Sequence, residues 1–235
     1  MRLDMDRARL TDLERRSRPK RRTAVKIPRW SVGAKILVAC VLVGSMPLSA
    51  APQNGVANLY RKSYRAEAEN RPAEAFEAMK AIRSRVKDSY FVNVRTGWVA
   101  YLAGNFAESE KAYRRAAKAQ PKAIEARLGL TLPLMAEKKW KDLEIAARAV
   151  LAMDPKSNAG RARLALALYS LGNYPDAATT YRSLIADYPG ELDHQTGLGW
   201  ALARMGRAKE ARTVFDAVLA VSPDNPNALE GIKKK

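Results

Sequence analysis

The sequence predicts an all-α protein in which antiparallel helix pairs stack on one another as a solenoid. Prolines recur at a spacing of 34 residues, at positions 121, 155, 189 and 223. Small and aromatic residues recur at fixed places between these prolines, and apolar residues within each interval follow the three-and-four spacing of a helix. A repeat of this length indicates one helix pair per unit, and such a unit buries its apolar face only against its neighbours.

Four clear units and one fainter unit make up the repeat. They cover residues 90–123, 124–157, 158–191 and 192–225, with the fainter unit at 56–89. The eighth and twentieth positions hold mainly small residues, the fifteenth mainly glycine and the twenty-fourth mainly an aromatic. In that order, the residues are Gly97, Thr131, Ala165 and Gly199; Ser109, Leu143, Ala177 and Ala211; Gly104, Lys138, Gly172 and Gly206; and Tyr113, Ala147, Tyr181 and Phe215. Small residues let two helix backbones approach, and the aromatic fills the space beside them.

The stretch LGNYPDAATTYRSLIADYP, residues 171–189, shows how one unit is built. Gly172 permits the positive φ that a turn after a helix often needs, and Asn173 is a suitable N-cap for the second helix. Pro175 fits the first turn, where its missing N–H is no loss, and Pro189 ends the helix. The apolar stripe between them consists of Ala177, Tyr181, Leu184 and Ile185. This stretch therefore predicts a helix that packs through one face.

The two ends of the chain differ from the repeat. Residues 226–235 predict a short capping helix that ends in three lysines, because a solenoid needs a polar cover over its last unit. Residues 1–35 contain twelve Lys and Arg against four acids, and we expect this leader to be disordered. An apolar segment follows at residues 36–51.

The apolar segment 36–51 leaves three interpretations open. It resembles the h-region of a cleaved signal peptide, it is nearly long enough for an uncleaved signal-anchor helix, and it could be a buried helix of a soluble protein. Positive charge before an apolar segment places the remainder of the chain across the membrane. We therefore expect a protein of the bacterial cell envelope, with the repeats periplasmic, exported or anchored to the inner membrane.

The repeat resembles that of the tetratricopeptide repeat family over residues 56–225. The resemblance rests on the 34-residue period and on the small, aromatic and proline positions quoted above. It implies a right-handed superhelix whose first helix in each unit, the A helix, lines a concave groove. The second helix of each unit is the B helix.

The resemblance also implies which A-helix positions contact a bound peptide. Mapped onto this chain, the candidate partner-binding residues are Phe91, Val94, Arg95, Trp98, Tyr101, Leu132, Met135, Arg163, Leu166, Tyr169, Trp200 and Arg204. Tyr60 and Tyr64 take equivalent places in the fainter unit. Tyr, Trp and Arg are common binding hot spots, although several of these aromatics could instead pack between adjacent A helices. The asparagines of a carboxylate clamp are missing from the sixth and ninth positions, so that mode of binding is not expected.

The residue types and motifs of the chain limit the classes of function that it can have. His194 is the only histidine and Cys40 the only cysteine, and no phosphate-binding loop, HExxH or Gly-x-Ser-x-Gly motif occurs. We therefore expect a non-catalytic scaffold that binds a protein or peptide, without cofactor or metal and without specific nucleic-acid binding. The net charge of +18 motivates one alternative, an electrostatic binder of an anionic polymer or membrane surface. Its basic clusters are the leader, Lys138, Lys139 and Lys141, and Lys233–Lys235.

Overall fold

The computed structural model describes residues 53–86 and 89–233, and its regular structure there consists of eleven α-helices without a strand. The helices are α1 (Gln53–Ala68), α2 (Pro72–Arg83), α3 (Tyr90–Leu102), α4 (Phe106–Ala119), α5 (Ile124–Ala136), α6 (Trp140–Leu151), α7 (Asn158–Ser170), α8 (Tyr174–Asp187), α9 (Leu192–Arg204), α10 (Ala208–Val221) and α11 (Pro226–Lys233). The leader and the apolar segment 36–51 lie outside the described residues. None of the helices in the described ranges has the length and apolar character needed to cross a membrane.

The helices pack in chain order as a stack of pairs. Each A helix packs against its own B helix, and each B helix packs against the next A helix. A helices of successive units also contact each other from α3 onwards, whereas the B helices of successive units make at most marginal contact. The stack is therefore tighter along the A helices, so these helices form its inner face. The predicted all-helical, tetratricopeptide-like solenoid is confirmed.

The turn inside each unit has one conformation throughout the stack. The fifteenth residue has a positive φ in all five units, at Asn70, Gly104, Lys138, Gly172 and Gly206. The following backbone N–H donates back to a carbonyl five residues earlier, for example from Asn173 to Leu168 at 2.9 Å and from Lys139 to Leu134 at 2.9 Å. Lys138 adopts a φ of 55° although it is not glycine, because the same hydrogen bond closes its turn.

The N-cap predicted at Asn173 is right in position but not in mechanism. Helix α8 begins directly after Asn173, and Pro175 lies in its first turn as expected. The Asn173 side chain accepts no bond from the helix backbone; its Nδ2 instead donates to Asp176 Oδ2 at 2.7 Å. This helix therefore starts with a side-chain pair rather than a side-chain cap.

Two kinds of junction join successive units. In a Gly junction, the aromatic at the twenty-fourth position meets a glycine at the sixth position of the next unit. A Cβ added to Gly129 would lie 2.2 Å from the Tyr113 ring, and one added to Gly197 would lie 2.4 Å from the Tyr181 ring. Phe215 meets Gly231 in the same way. The close approach of ring and backbone thus depends on the missing side chain.

In an Arg junction, the twenty-fourth position holds a residue that is smaller or more flexible than an aromatic, and the sixth position of the next unit holds arginine. The first junction has Met79 and Arg95, and the third has Ala147 and Arg163. The two kinds of junction alternate from the first unit to the fifth. At the sixth position of these A helices, arginine therefore occurs only where the preceding unit has no aromatic ring at its twenty-fourth position.

Candidate partner-binding groove

The candidate groove is the face on which α3, α5, α7 and α9 lie side by side. Phe91 is 54% exposed and Arg204 is exposed at the other end of this face. Most of the other predicted residues are half-buried, which is the state expected of side chains that line a groove: Val94, Trp98, Tyr101, Leu132, Met135, Arg163, Leu166, Tyr169 and Trp200. Arg95 is buried.

Aromatic rings cover the first part of the groove. The Tyr60 and Phe91 ring centroids lie 5.9 Å apart, and those of Trp98 and Tyr101 lie 6.1 Å apart in a stacked arrangement. Tyr101 also contacts Phe106, at 5.8 Å between centroids. These contacts show that the rings pack on one another, and Trp98 and Tyr101 remain half-buried rather than fully enclosed.

Arg95 has an internal carboxylate partner that the sequence did not indicate. Its guanidinium forms an ion pair with Glu67 on α1, and its Nη2 lies 3.3 Å from Ser63 Oγ. The guanidinium carbon lies 3.9 Å from the centroid of the Tyr64 ring, and Trp98 Nε1 donates to Glu67 Oε1 at 2.6 Å. Arg95 was predicted to contact a partner, but here it links α3 to α1 within the chain.

Arg163 lies in the middle of the groove and, unlike Arg95, donates to a backbone carbonyl. Its Nη1 donates to the Leu128 carbonyl at 2.9 Å, and Thr131 Oγ1 donates to the same carbonyl at 2.5 Å. Burial lowers the pKa of Arg163, and the nearby Tyr101 and Tyr113 act in the opposite direction. Arg163 belongs to α7 and Leu128 to α5, so this hydrogen bond joins two neighbouring A helices.

A pocket of about 350 Å³ lies between α7, α9 and α11. It contains three of the predicted residues, Leu166, Tyr169 and Trp200. The residues that the sequence analysis missed are Tyr181, Thr196, Gly197, Asn227 and Glu230. Gly197 and Tyr181 form a Gly junction, so the repeat pattern could have pointed to them, whereas Asn227 and Glu230 belong to α11 and lie outside the repeat units. Helix α11 therefore contributes side chains to this pocket.

The rings around this pocket are held by contacts with B helices. Trp200 meets Phe215 edge-on with centroids 5.5 Å apart, and Tyr169 meets Tyr174 at 5.5 Å. The Arg204 guanidinium lies 4.9 Å from the Tyr174 ring centroid. Contacts with the B helices thus fix the orientation of these groove aromatics.

His194 bridges two A helices. It is 7% exposed, and its Nε2 lies 3.0 Å from Asn158 Oδ1 at the start of α7. Burial lowers the pKa of its imidazole. The contact therefore joins α9 to α7. In the described residues, no group of His, Cys, Asp or Glu side chains is arranged to hold a metal ion.

The basic cluster on the turn between α5 and α6 is partly neutralised. Lys139 Nζ lies 2.7 Å from Glu110 and 3.0 Å from Glu137, and these hydrogen bonds raise its pKa. Lys138 and Lys141 are exposed and line a shallow pocket of about 430 Å³ with Trp140 and Leu171. Two of the three terminal lysines, 234 and 235, lie outside the described residues.

A tetratricopeptide repeat family model matches residues 60–124, 94–132, 141–191 and 196–232, together more than half of the chain. Three solved structures share the fold. MamA 41-end from Desulfovibrio magneticus RS-1 is 18% identical, with a TM-score of 0.68 over 74% of this chain and 98% of that one. A tetratricopeptide repeat protein from Parabacteroides merdae ATCC 43184 is 16% identical, with a TM-score of 0.68 over 76% and 71%.

The third structure is YrrB, described as a TPR protein with an unusual peptide-binding site. It is 14% identical, with a TM-score of 0.65 over 78% of this chain and 98% of that one. No curated protein sequence matches the chain significantly. At these identities the likeness concerns the fold, and the groove residues have to be judged from their own chemistry.

Proposed function

Because the chain belongs to the tetratricopeptide repeat family, we propose that it is a non-catalytic scaffold whose A-helix groove binds a peptide or helix of a cell-envelope partner. The observation that carries this proposal is the pocket between α7, α9 and α11. It brings Leu166, Tyr169 and Trp200 together on an accessible face, with polar groups at its rim. Concave sites of this kind, mostly apolar with a few polar groups, are typical of binding sites.

Two further observations support the groove. Half-buried aromatics lie at both of its ends, and aromatic anchors are over-represented among binding hot spots. The name of the YrrB structure also attributes a peptide-binding site to a protein of the same fold. The envelope location is supported by the basic leader followed by the apolar segment 36–51.

The groove is tested by replacing Trp98 and Trp200 together with alanine. We expect partner recovery in a pull-down from envelope extracts to fall at least tenfold, because each ring contributes on the order of 1–2 kcal/mol or more at an interface. The matched control is Ile145→Ala, which removes a 67%-exposed side chain from a B helix. Helical circular dichroism should be the same in all three proteins. Equal recovery with wild type and the double variant would exclude the groove as the binding surface.

A second function is favoured by one surface of α1. Arg61, Lys62 and Arg65 line a pocket of about 410 Å³ with Arg71 from the following turn. Arg71 is paired with Glu69 and Glu74, whereas Arg61, Lys62 and Arg65 form no ion pair in the part of the chain that the structure describes. This surface suits an anionic polymer or membrane surface. Binding of that kind falls steeply as salt is raised, whereas binding in the apolar groove changes little.

The location is tested by fractionating cells and measuring the mass of the mature N-terminus. A mass that begins near residue 51 in the soluble envelope fraction indicates cleavage, and a full-length mass in the membrane fraction indicates an anchor. Recovery of the full-length chain in the cytoplasmic fraction alone would exclude both.

A further inference from the structure

The two Arg junctions supply the same side chain but leave it in different electrostatic states. Arg95 is neutralised by Glu67, which also accepts a hydrogen bond from Trp98. Arg163 is bound to a backbone carbonyl, and in the described ranges no carboxylate lies within ion-pair distance of it. A half-buried guanidinium that has lost water without gaining a carboxylate favours an anionic ligand.

The repeat shows why Arg163 has no carboxylate partner among the described residues. Glu67 occupies the twelfth position of the first unit, and the same position in the third unit, which precedes the unit of Arg163, is Met135. The ninth position of that unit is Leu132. The chain thus places apolar side chains where the first junction places its acid, which leaves Arg163 available to an acid of another molecule.

Two nitrogens of Arg163 are left without a partner among the described residues. Its Nη2 and Nε make no hydrogen bond there, and neither atom is among the fully buried unpaired nitrogens. These two groups therefore keep access to solvent. The Leu128 carbonyl accepts from Nη1, so the edge formed by Nε and Nη2 is left for a two-point contact.

We propose that Arg163 binds the side-chain carboxylate of an Asp or Glu residue within the segment that occupies the groove. This inference rests on the proposed function and names the partner's chemistry: an acidic residue with apolar or aromatic residues on both sides. Trp98, Tyr101 and Leu132 lie towards one end of the groove from Arg163. Leu166, Tyr169 and Trp200 lie towards the other end.

The position of Arg163 favours an internal acid over a C-terminal carboxylate. Apolar anchors continue past Arg163 in both directions, so a segment that contacts both sets has to run through the site rather than end there. The clamp asparagines that hold a C-terminal carboxylate in some members of the family are also missing from the sixth and ninth A-helix positions.

The proposal is tested by selecting, from a library of random twelve-residue peptides, those that bind the full chain. Three proteins are compared: wild type, Arg163→Gln and the charge control Arg148→Gln, which removes an exposed arginine from α6. We expect Asp or Glu to be enriched at internal positions with wild type and Arg148→Gln, and the enrichment to disappear with Arg163→Gln. Each selected peptide is then also tested on the Trp98→Ala/Trp200→Ala variant.

The best wild-type peptide is then synthesised in three forms and its Kd is measured. Replacing the acidic residue with its amide should weaken binding to wild type by about 10- to 100-fold and leave binding to Arg163→Gln unchanged, since a hydrogen bond to a charged group contributes about 1.5–3 kcal/mol. Amidating only the C-terminus should change little. Arg163→Lys should recover part of the affinity, because it keeps the charge but loses the two-point contact.

The outcomes separate this inference from the function on which it rests. Peptides that need Trp98 and Trp200 but show no acidic preference would overturn the Arg163 site and leave the groove in place. Dependence on the C-terminal carboxylate would equally overturn the internal-acid assignment. Peptides that bind without Trp98 and Trp200, or failure to select any peptide, would overturn the groove itself and the inference with it.

Discussion

The second and third junctions of the stack use the same repeat positions in opposite ways. At the second junction, the Tyr113 ring fills the space between α3 and α5, and Gly129 provides room for it. At the third junction, Ala147 takes the place of the ring and Arg163 takes the place of the glycine. One junction is closed by apolar packing, whereas the other admits a charged side chain to the groove.

This difference shows how one repeat can serve stability and recognition in turn. The Gly junctions bury an aromatic ring against backbone, and the burial of such a ring contributes several kcal/mol to folding. The Arg junctions replace part of that packing with a guanidinium, whose charge is neutralised only where a carboxylate meets it. Arg95 has that carboxylate, whereas Arg163 meets none among the described residues, so the third junction is the one available for a partner.

The largest effect is expected from a substitution that disrupts a Gly junction. Gly129→Ala should lower the free energy of unfolding by about 3 kcal/mol, at the upper end of the range for overpacking, because the new Cβ would lie 2.2 Å from a buried ring. Urea denaturation followed by circular dichroism measures the change. Gly190→Ala, at an open glycine, should stay within about 0.5 kcal/mol. In a Tyr113→Ala background the Gly129→Ala substitution should cost little, and an undiminished cost there would contradict the proposed clash.

A medium effect should distinguish the two arginines. Arg95→Gln leaves Glu67 without its cation and should lower the free energy of unfolding by about 2 kcal/mol, less than for a fully buried pair because Glu67 keeps some access to water. Arg163→Gln leaves no carboxylate behind and should change it by less than about 1 kcal/mol. The same denaturation measurement applies to both variants. Equal losses would show that Arg163 is structural and that the two junctions are alike.

The smallest expected effect concerns the polar bridge beside the fourth junction. Burial lowers the pKa of His194 below its ordinary value of 6.5, so the unfolded chain takes up the proton first. The contribution of His194 is therefore complete above pH 6.5 and is lost as the pH falls through the lowered folded-state value. Between pH 7.5 and 5.5 we expect a loss below about 1 kcal/mol. Thermal unfolding at these pH values measures the loss of stability, and His194→Gln should make the stability less dependent on pH. If the His194→Gln variant loses stability equally steeply, other groups are responsible.

Much of the fold could be predicted because each unit repeats its own local rules. The glycines at the fifteenth position, the prolines and the apolar stripe of α8 act within one turn or one helix, and neighbouring units repeat them. Lys138 shows the limit of this reasoning. It departs from the glycine pattern, yet its turn closes like the others because the backbone hydrogen bond from Lys139 imposes the conformation.

The candidate site could be predicted only in part. The resemblance to the tetratricopeptide repeat implied the A-helix positions of Trp98, Tyr101, Leu166, Tyr169 and Trp200, and the helical period alone only groups residues on one side of a single helix. The alternation of aromatic–glycine and small–arginine pairs was present in the sequence, but each pair joins two units. The structural consequence of each pair depends on which helices are in contact, and neither composition nor helical period gives that information.

The sequence by itself determined the helix pairs and their number, because these depend on spacing over a few residues, and the resemblance to the family supplied the candidate groove positions. Only the tertiary structure decided that Glu67 neutralises Arg95, that α11 adds Asn227 and Glu230 to the last pocket, and that Arg163 donates to the Leu128 carbonyl of α5. Each of these contacts joins helices from different units. Their charges therefore acquire partners, or fail to, only once the stack has brought those helices together.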